Sequence, residues 1–500
     1  MSIDTPFDLL VVGGGINGVG IARDAAGRGL SVLLVEKNDL GGATSSASSK
    51  LIHGGLRYLE QFEFRLVAEA LHEREVLLRA APHLVHPMRF VMPHVAELRP
   101  AWMIRVGLFL YDVLARRQTL PGSASVRLSR PPYNNGLNSA LDRGFIYSDC
   151  WVDDARLVIA TARSAAACGA SIRTRTACTA LYREARLWRV TLQPAAGPAE
   201  VVSAKTVINV AGPWAKSFLT DVAALDVPFG LRLVQGSHIV VPRLYEGDHA
   251  FILQNDDHRV IFAYPYESHY TLVGTTDVEL PGTPEQCAAT TEEVRYLCRA
   301  VNRYFRRSIT EEDVVHRYAG IRPLFDDGAG NPSQVTRDYV LRMTGEPGTD
   351  ALLSVFGGKI TTYRRLAEEA VDAMRPWFPR MKARWTAHAP LDGGDLGAGG
   401  LVDTEKQAAR DYPWLRSSER TALVRRHGAN LPLVMAGAAS LADLGTCFGP
   451  GLYAREVDWF ITEEWATTAE DVLWRRTKCG LHLTPTEQHA VAAYMMQRVS

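Results

Sequence analysis

The sequence predicts an α/β fold with a Rossmann-like nucleotide-binding domain, an antiparallel sheet and a helical C-terminal domain. In residues 7–36, an apolar run, a glycine-rich turn, a helical stretch and a second apolar run follow one another. Strand-like runs in 231–319, such as SHIVV, VIFAYP and YTLVGTT, predict the antiparallel sheet. A capping box of Thr290 and Glu293 predicts a helix near residues 291–305. Beyond residue 400, capping-box patterns at Thr467–Glu470 and Thr484–Glu487, the latter with Pro485 at the first helical position, predict helices.

The glycine-rich turn matches the pattern of a dinucleotide-binding site. The run FDLLVV leads into GGGING, after which residues 16–28 are expected to form a helix and residues 31–35 a second strand. In such a turn, Gly13 permits the tight bend, Gly15 lets the backbone approach a pyrophosphate, and Gly18 lets the helix pack on the strand. Glu36, at the end of the second strand, is placed to accept hydrogen bonds from a ribose.

The next segment favours a flavin over a nicotinamide. Residues 41–57 read GGATSSASSKLIHGGLR, a run rich in glycine and serine directly after the predicted ribose acid. Its backbone and hydroxyl donors can wrap a long, permanently bound cofactor. FAD is therefore the predicted cofactor.

Composition excludes several other classes. Lys+Arg 55 equals Asp+Glu 55, so the net charge is zero and no basic tract marks a nucleic-acid binder. The seven cysteines contain no CxxC pair, which speaks against a disulfide scaffold, a zinc site or an iron–sulfur site and favours a reducing compartment. No metal site is expected. The N-terminus lacks the pattern of a signal peptide, and no stretch reaches the ~18–20 apolar residues of a spanning helix.

Several uncommon motifs carry a family resemblance. Residues 43–60, ATSSASSKLIHGGLRYLE, and the preceding GGGINGVGIARDAAGRGLSVLLVEKNDL closely resemble FAD-dependent glycerol-3-phosphate dehydrogenases. The similarity continues in family order through YSDCWVDDARLV, NVAGPW, QGSHIVVP, GTTDVE, GIRPL, TRDY, SVFGGKITTYRRLAEEA and DVLWRRTK. These are quinone-linked enzymes of the glycine/D-amino-acid oxidase fold group.

The resemblance implies a reaction and a location. Glycerol 3-phosphate would be oxidised at C2 to dihydroxyacetone phosphate, with a hydride passing to flavin N5 and then electrons to ubiquinone or another membrane quinone. The protein would be peripheral, bound to the lipid bilayer surface on the cytoplasmic face of the bacterial inner membrane. The sequence does not decide whether the chain forms a homodimer.

Two hypotheses compete for residues 100–115, PAWMIRVGLFLYDVLA. The first is a helix buried in the core. The second is an interfacial helix that lies in one leaflet with arginines at the headgroups, because its polar residues share one narrow stripe.

Oxidation of a phosphorylated alcohol requires cations for the phosphate and a base for the hydroxyl proton. The residues predicted for these tasks lie in segments that match the family's substrate site. The predicted catalytic residues are His53, Arg322 and Lys359, and the predicted substrate-binding residues are Arg57, Tyr58, His238 and Arg337. The sequence does not decide whether His53, His238 or Arg322 handles the C2 hydroxyl, or whether Lys359 instead faces the reduced flavin. Asp277 is interpreted equally well as a support for this site or as a turn acid.

The predicted cofactor-binding residues come from five segments. They are Gly13, Gly15, Ile16, Asn17, Gly18, Glu36, Lys37, Thr44, Ser45, Ser46, Ser49, Lys50, Leu51, Ala211, Gly212, Gly358 and Thr361.

The predicted division is a Rossmann-like FAD-binding domain, an antiparallel-sheet substrate domain and a helical C-terminal domain. The first is discontinuous and takes residues 1–90, 150–230 and 320–380; the substrate and membrane-facing domain takes 91–149 and 231–319; the C-terminal domain takes 385–500. In the last, Trp474, Arg475, Arg476 and Lys478 are interpreted either as a docking surface or, preferably, as a solvated face with a core tryptophan.

Three other functions are weighed against the quinone-linked dehydrogenase. A glycerol-3-phosphate oxidase typically carries a long insertion between the GIRP and GGK segments, whereas Arg322 and Lys359 are only 37 residues apart here. A flavin-binding sensor without turnover would not need the set of cations. An amino-acid oxidase would need one arginine for a carboxylate, and several cations suit a phosphate better.

Overall fold

The computed structural model describes residues 5–95, 98–114, 119–257, 259–326, 338–346 and 349–499. The strands are β1 (Phe7–Val12), β2 (Val32–Val35), β3 (Leu51–Ile52), β4 (Val85–Pro93), β5 (Ala124–Arg127), β6 (Arg143–Val152), β7 (Ser171–Arg173), β8 (Thr176–Glu184), β9 (Leu187–Pro194), β10 (Glu200–Asn209), β11 (Gly230–Pro242), β12 (Ala250–Gln254), β13 (Val260–Tyr266), β14 (Tyr270–Gly274), β15 (Val278–Glu279), β16 (His316–Asp326), β17 (Val340–Thr344), β18 (Ala351–Phe356), β19 (Cys447–Gly449) and β20 (Leu452–Tyr453). The helices are α1 (Ile16–Gly27), α2 (Phe64–Ala80), α3 (Ala101–Val113), α4 (Asp154–Ala167), α5 (Ala215–Ser217), α6 (Thr291–Asn302), α7 (Tyr363–Ala373), α8 (Gly400–Asp411), α9 (Ser417–His427), α10 (Leu431–Val434), α11 (Ala454–Glu463) and α12 (Pro485–Arg498).

The first sheet is parallel at its centre. Its main path is β17-β18-β10-β1-β2-β7, in which β17 is the antiparallel edge and the β8–β9 hairpin extends from β10. Residues 9–12 of the central strand β1 are buried and apolar, as expected for a strand covered on both faces. Helices α1, α4 and α7 contribute to the core on one face of this sheet. This arrangement confirms the Rossmann-like fold class, and the carboxyl ends of β1, β2 and β10 meet at one edge.

The second sheet forms the other half of the site. Its main path is β15-β11-β14-β13-β12-β4-β6-β3, with β16 paired to β11 and β5 to β6. All pairs are antiparallel except β12 with β4. Helix α6 packs into the core on one face, and α2 and α3 contribute to the core on the other.

The predicted domain boundaries stay a proposal. Strand β3 and most of β4 and β16 fall inside the segments assigned to the FAD-binding domain, yet they pair in the second sheet. Residues 400–498 are mostly helical and add the short β19–β20 hairpin.

Two of the three predicted capping boxes form at the expected residues. The boxes Thr290–Glu293 and Thr484–Glu487 form with reciprocal hydrogen bonds, and they start α6 and α12. The box expected at Thr467–Glu470 is wrong by one residue. The Thr468 hydroxyl accepts the Asp471 N–H, and the Asp471 carboxylate accepts the Thr468 N–H. Glu470 instead accepts a hydrogen bond from Arg475.

Helix α3 is not buried in the core. Ile104, Leu108 and Tyr111 face inward, whereas Trp102 is 70% exposed and Phe109 is 59% exposed. The buried-helix hypothesis is therefore wrong, and the exposed apolar face has the form of an interfacial helix. In the described part of the chain, no helix is both long and apolar enough to cross a bilayer.

The hypothesis of a solvated face at residues 474–478 is also wrong. Arg475, Arg476 and Lys478 are buried, and they form ion pairs with Asp39 and Asp153. Trp474 stacks on the ring of His316 with centroids 4.2 Å apart. These residues join the C-terminal region to the rest of the chain.

The fold predicts opposite effects of alanine at two helical glycines. A Cβ on Gly18 would lie 1.9 Å from the Gly13 carbonyl oxygen, whereas a Cβ on Gly107 in α3 would meet nothing within 4 Å. Gly18→Ala should lower the free energy of unfolding by about 1–3 kcal/mol, because backbone must move. Gly107→Ala should raise it by up to about 1 kcal/mol. Denaturant unfolding measures both, and equal effects would contradict the packing described.

Candidate active site

One cavity of about 1520 Å³ lies between the two sheets. The glycine turn after β1, the segment after β2, the turn after β10 and the turn after β18 line it from the first sheet, and strands β11, β13 and β16 line it from the second. The carboxyl edge of a parallel sheet is the usual ligand site in such folds.

The glycine turn brings bare backbone to the cavity wall. Gly13 has a φ of +119°, and a Cβ there would lie 2.5 Å from the Val210 carbonyl oxygen. Only glycine fits this crossing between the β1 turn and the β10 turn. Helix α1 begins at Ile16, so its N-terminus lies at the cavity beside Gly15 and can receive an anionic group.

Glu36 is fixed at the end of β2. One carboxylate oxygen accepts the Gly14 N–H at 2.7 Å, and the other accepts the Asn38 N–H at 2.8 Å. Burial raises the pKa of Glu36 above its ordinary value, although these two N–H groups oppose the rise. The carboxylate lines the cavity and keeps lone pairs for a ribose hydroxyl.

The serine-rich segment is held in place by its own side chains. The Ser45 hydroxyl accepts the Ile16 N–H at 3.0 Å, the Thr44 hydroxyl donates to the Ile321 carbonyl at 2.8 Å, and the Ser49 hydroxyl lies 2.8 Å from His238 Nε2. These bonds hold the segment between the two sheets.

Most of the predicted cofactor residues line this cavity together. Those that do are Gly13, Gly15, Ile16, Asn17, Glu36, Lys37, Thr44, Ser45, Ser49, Leu51, Ala211, Gly212, Gly358 and Thr361. Gly18, Ser46 and Lys50 do not. Gly18 packs α1 against Gly13, and Lys50 Nζ donates to the Ser46 carbonyl and to Asp154, at 3.0 and 2.7 Å.

Three features of the described part of the cavity wall fit FAD: an unpartnered polar atom, a close-packed glycine turn and a helix N-terminus. The buried Asn17 Oδ1 has no hydrogen-bond partner among the described residues, although its amide donates to the Gly357 carbonyl. A Cβ on Gly358 would lie 2.9 Å from the Asn17 amide nitrogen, so the turn before α7 also requires glycine. The short turn Ile360–Thr362 and α7 then follow, which places a helix N-terminus near the wall where the predicted flavin charge would lie.

The predicted substrate residues meet at the same cavity. His53, Arg57, Tyr58, His238, Arg322 and Lys359 all line it. Lys359 Nζ lies 3.8 Å from the centroid of the Tyr58 ring. Among the described residues, Arg57 has no hydrogen-bond or ion-pair partner. Arg337 lies outside the described residues.

Arg322 is oriented by two side chains of the segment after β14. Its guanidinium forms an ion pair with Asp277 and donates to the Thr275 hydroxyl at 2.8 Å. Asp277 therefore supports a cation of the site and is not merely a turn acid. Thr275 was missed, since nothing in its sequence context marks it as a partner of Arg322.

Both candidate histidines are held neutral. Burial, with the nearby charges of Lys359 and Arg322, lowers the pKa of His53 to about 4. Burial, with Lys50 and Arg322, lowers the pKa of His238 to about 3. His238 also stacks on Tyr318 with centroids 4.8 Å apart, which fits a structural role better than a reactive one.

Comparisons with known proteins now identify the family. The FAD dependent oxidoreductase family (DAO) matches residues 8–364, and the family described as the C-terminal domain of alpha-glycerophosphate oxidase matches residues 384–499. Among solved structures, the glycerol-3-phosphate dehydrogenase from Bacillus halodurans complexed with FAD aligns with a TM-score of 0.74 and 25% identity, over 99% of this chain and 95% of that one.

Curated relatives match at much higher identity. A glycerol-3-phosphate dehydrogenase from Pseudomonas tolaasii is 51% identical over 98% of this chain and 95% of its own length. The aerobic glycerol-3-phosphate dehydrogenase of Escherichia coli is 47% identical over 98% and 97%. A D-erythritol 1-phosphate dehydrogenase from Brucella abortus is 51% identical over 97% and 96%. The resemblance seen in the sequence is thereby confirmed: the chain belongs to the FAD-dependent oxidoreductase family, in its glycerol-3-phosphate dehydrogenase group, and its cofactor is FAD.

Proposed function

We propose that the chain oxidises sn-glycerol 3-phosphate at C2 to dihydroxyacetone phosphate and delivers the electrons to a membrane quinone. One observation carries the substrate: Arg57, Arg322 and Lys359 line the cofactor cavity together with a neutral His53. A phosphate monoester carries about −1.5 to −2 charges at neutral pH, and converging cations suit it.

Arg57 is the side chain best suited to the phosphate. It follows the Gly54–Gly55 turn, lies half-buried at the cavity, and has no partner within the described residues. Arg322, by contrast, is already balanced by Asp277, so it carries less net charge toward a ligand. We infer that Arg57 and Lys359 hold the phosphate, and that Arg322 lies nearer to the C2 oxygen.

His53 is the base that we assign to the hydroxyl proton. A histidine accepts a proton only when it is neutral, and burial together with the nearby cations lowers the pKa of His53 in favour of that state. The same cations favour the alkoxide form of a bound alcohol, because they attract the developing negative charge. FAD, when bound, supplies the two-electron acceptor.

The comparisons point to a second candidate substrate, D-erythritol 1-phosphate. The Brucella abortus relative is as similar as the Pseudomonas tolaasii relative, and its name specifies a four-carbon polyol phosphate. The cations would recognise either phosphate. The ratio of kcat/KM for the two compounds decides between them, and we expect glycerol 3-phosphate to be preferred.

The electron acceptor is inferred from the rim of the cavity. The rim includes Met103, Val106 and Leu110 of α3. It also includes Phe62, just before α2, and Phe64, the first residue of α2. The outer face of α3 is apolar and exposed, so a lipid-soluble quinone would reach the cavity from a bilayer on which α3 lies. We infer, with the family resemblance, that the protein lies peripherally on the cytoplasmic face of the bacterial inner membrane.

The phosphate assignment predicts the effect of removing Arg57. Arg57→Met should raise the KM for glycerol 3-phosphate about 10–100-fold, since a hydrogen bond to a charged group contributes about 1.5–3 kcal/mol. FAD content should not change. The measurement is substrate-dependent reduction of a soluble ubiquinone analogue. Arg295→Met is the control, because Arg295 is 59% exposed, pairs with the exposed Glu311 and does not line the cavity. Equal KM values for the two variants would refute the assignment.

The electrostatics predict a shift at His53. The pKa of His53 should lie near 4 and should rise toward 6.5 in Lys359→Met, because one repelling cation is removed while burial remains. Acidification to just below pH 6.5 should therefore leave His53 neutral in the wild type. NMR titration of labelled histidines, assigned with His53→Gln, measures this. Lys406→Met, at an exposed position, should change nothing. A wild-type pKa near 6.5 would contradict the account.

The membrane assignment predicts the effect of charges on α3. Trp102→Glu combined with Phe109→Glu should reduce co-sedimentation with anionic phospholipid vesicles at least about ten-fold, because two apolar side chains can no longer enter the interface. Val402→Glu combined with Leu433→Glu is the control, since those side chains are 61% and 60% exposed in the C-terminal region. If the α3 variant binds vesicles as well as wild type, α3 is not the anchor.

A further inference from the structure

The loop at residues 36–42, here called the ribose loop, is built together with the glycine turn. Glu36 accepts the Gly14 N–H, and the Gly41 N–H donates to the Gly14 carbonyl at 3.0 Å. A Cβ on Gly14 would meet the Glu36 side chain and Leu40, so the two segments touch closely. A displacement of the ribose loop would therefore move both the carboxylate and the pyrophosphate turn.

The C-terminal region holds this loop through Asp39. The Asp39 side chain is buried and accepts hydrogen bonds from Arg475 Nε at 2.5 Å and from Arg476 Nη2 at 2.8 Å, with a further bond from Arg476 Nη1. Both arginines are themselves buried. Buried charges remain charged only when they are paired, so these three groups must stay together.

A second set of contacts holds the ribose loop at Glu36 and Asn38. The Arg175 N–H donates to the Asn38 carbonyl at 2.9 Å, and the Thr176 N–H donates to the Glu36 carbonyl at 2.8 Å. The Arg175 guanidinium binds the buried carboxylate of Asp471 at 2.7 Å, and Asp471 also pairs with Arg475. The segment 471–476 thus holds the loop directly and through Arg175.

We propose that the C-terminal helical region is a clamp that keeps the ribose loop in the conformation that binds FAD. Asp39 lies three residues after Glu36, and FAD brings a negatively charged pyrophosphate to the same edge of the sheet. Without the arginines, two carboxylates and the pyrophosphate would repel one another. Arg475 and Arg476 remove that repulsion and fix the loop. Asp39, Arg475 and Arg476 are accordingly positioning residues, and this role does not depend on which polyol phosphate is oxidised.

The test is the affinity of the apoenzyme for FAD. Asp39→Asn should raise the dissociation constant for FAD at least ten-fold, and that for ADP, a competitor that carries the adenosine and the pyrophosphate but no flavin, by a similar factor. Fluorescence quenching of added FAD measures the first constant, and displacement by ADP measures the second. Asp39→Glu, which keeps the charge, should restore most of the affinity.

The matched control is Glu456→Gln. Glu456 is a buried carboxylate of the C-terminal region that binds Arg426 and His427, and within the described part of the chain none of its hydrogen bonds or ion pairs reaches the ribose loop. It should lower thermal stability with little change in either constant. Equal FAD and ADP constants for Asp39→Asn and Glu456→Gln would overturn the clamp.

A milder variant tests the same proposal if Asp39→Asn does not fold. Arg475→Gln leaves Asp39 paired with Arg476 and should raise both constants about three-fold. Unchanged constants for a folded Arg475→Gln, combined with failure of Asp39→Asn to fold, would mean that these charges serve stability alone and would also overturn the proposal.

Discussion

The contact between the turn after β1 and the turn after β10 is the constraint on which the site depends. At Gly13 the backbone passes so close to Val210 that no side chain fits, and at Gly18 the first helix lies equally close to the turn itself. These two approaches place the start of α1 at the carboxyl edge of the sheet. The cavity, its anion-binding helix end and the position of Glu36 all follow from this edge.

Charge balance then decides what the cavity can recognise. Most cations near it are committed to carboxylates: Lys50 to Asp154, Arg322 to Asp277, and Arg475 and Arg476 to Asp39. Among the described residues, Arg57 lines the cavity without a carboxylate partner, and Lys359 packs on the Tyr58 ring. The cations paired with carboxylates orient the walls, whereas Arg57 and Lys359 are the two to which we assign the dianionic phosphate. Burial, helped by the charges of Lys359 and Arg322, lowers the pKa of His53 and favours the neutral state that a base requires.

Local patterns in the sequence predicted local structure well. The glycine turn, Glu36, the turn before α7 and two of the three capping boxes depend on neighbouring residues, and each was found near its expected place. Pairing across long distances was not predictable. Arg475 meets Asp39 from 436 positions away, and Lys50 meets Asp154 from 104 positions away. The basic run at 474–478 was therefore predicted to be solvated although it is buried, and the ion pair of Lys50 with Asp154 could not be foreseen. The exposure of α3 likewise depends on which elements pack against it, and the periodicity of the helix does not contain that information.

The most direct test of the account is to mix the purified FAD-bound protein with sn-glycerol 3-phosphate in the absence of oxygen. The visible absorption of the oxidised flavin reports whether the substrate and the cofactor meet in one site. We predict rapid bleaching by glycerol 3-phosphate, with D-erythritol 1-phosphate slower. A flavin that stays oxidised with excess glycerol 3-phosphate would contradict the account, because cations, base and cofactor would then not form one active site for that substrate.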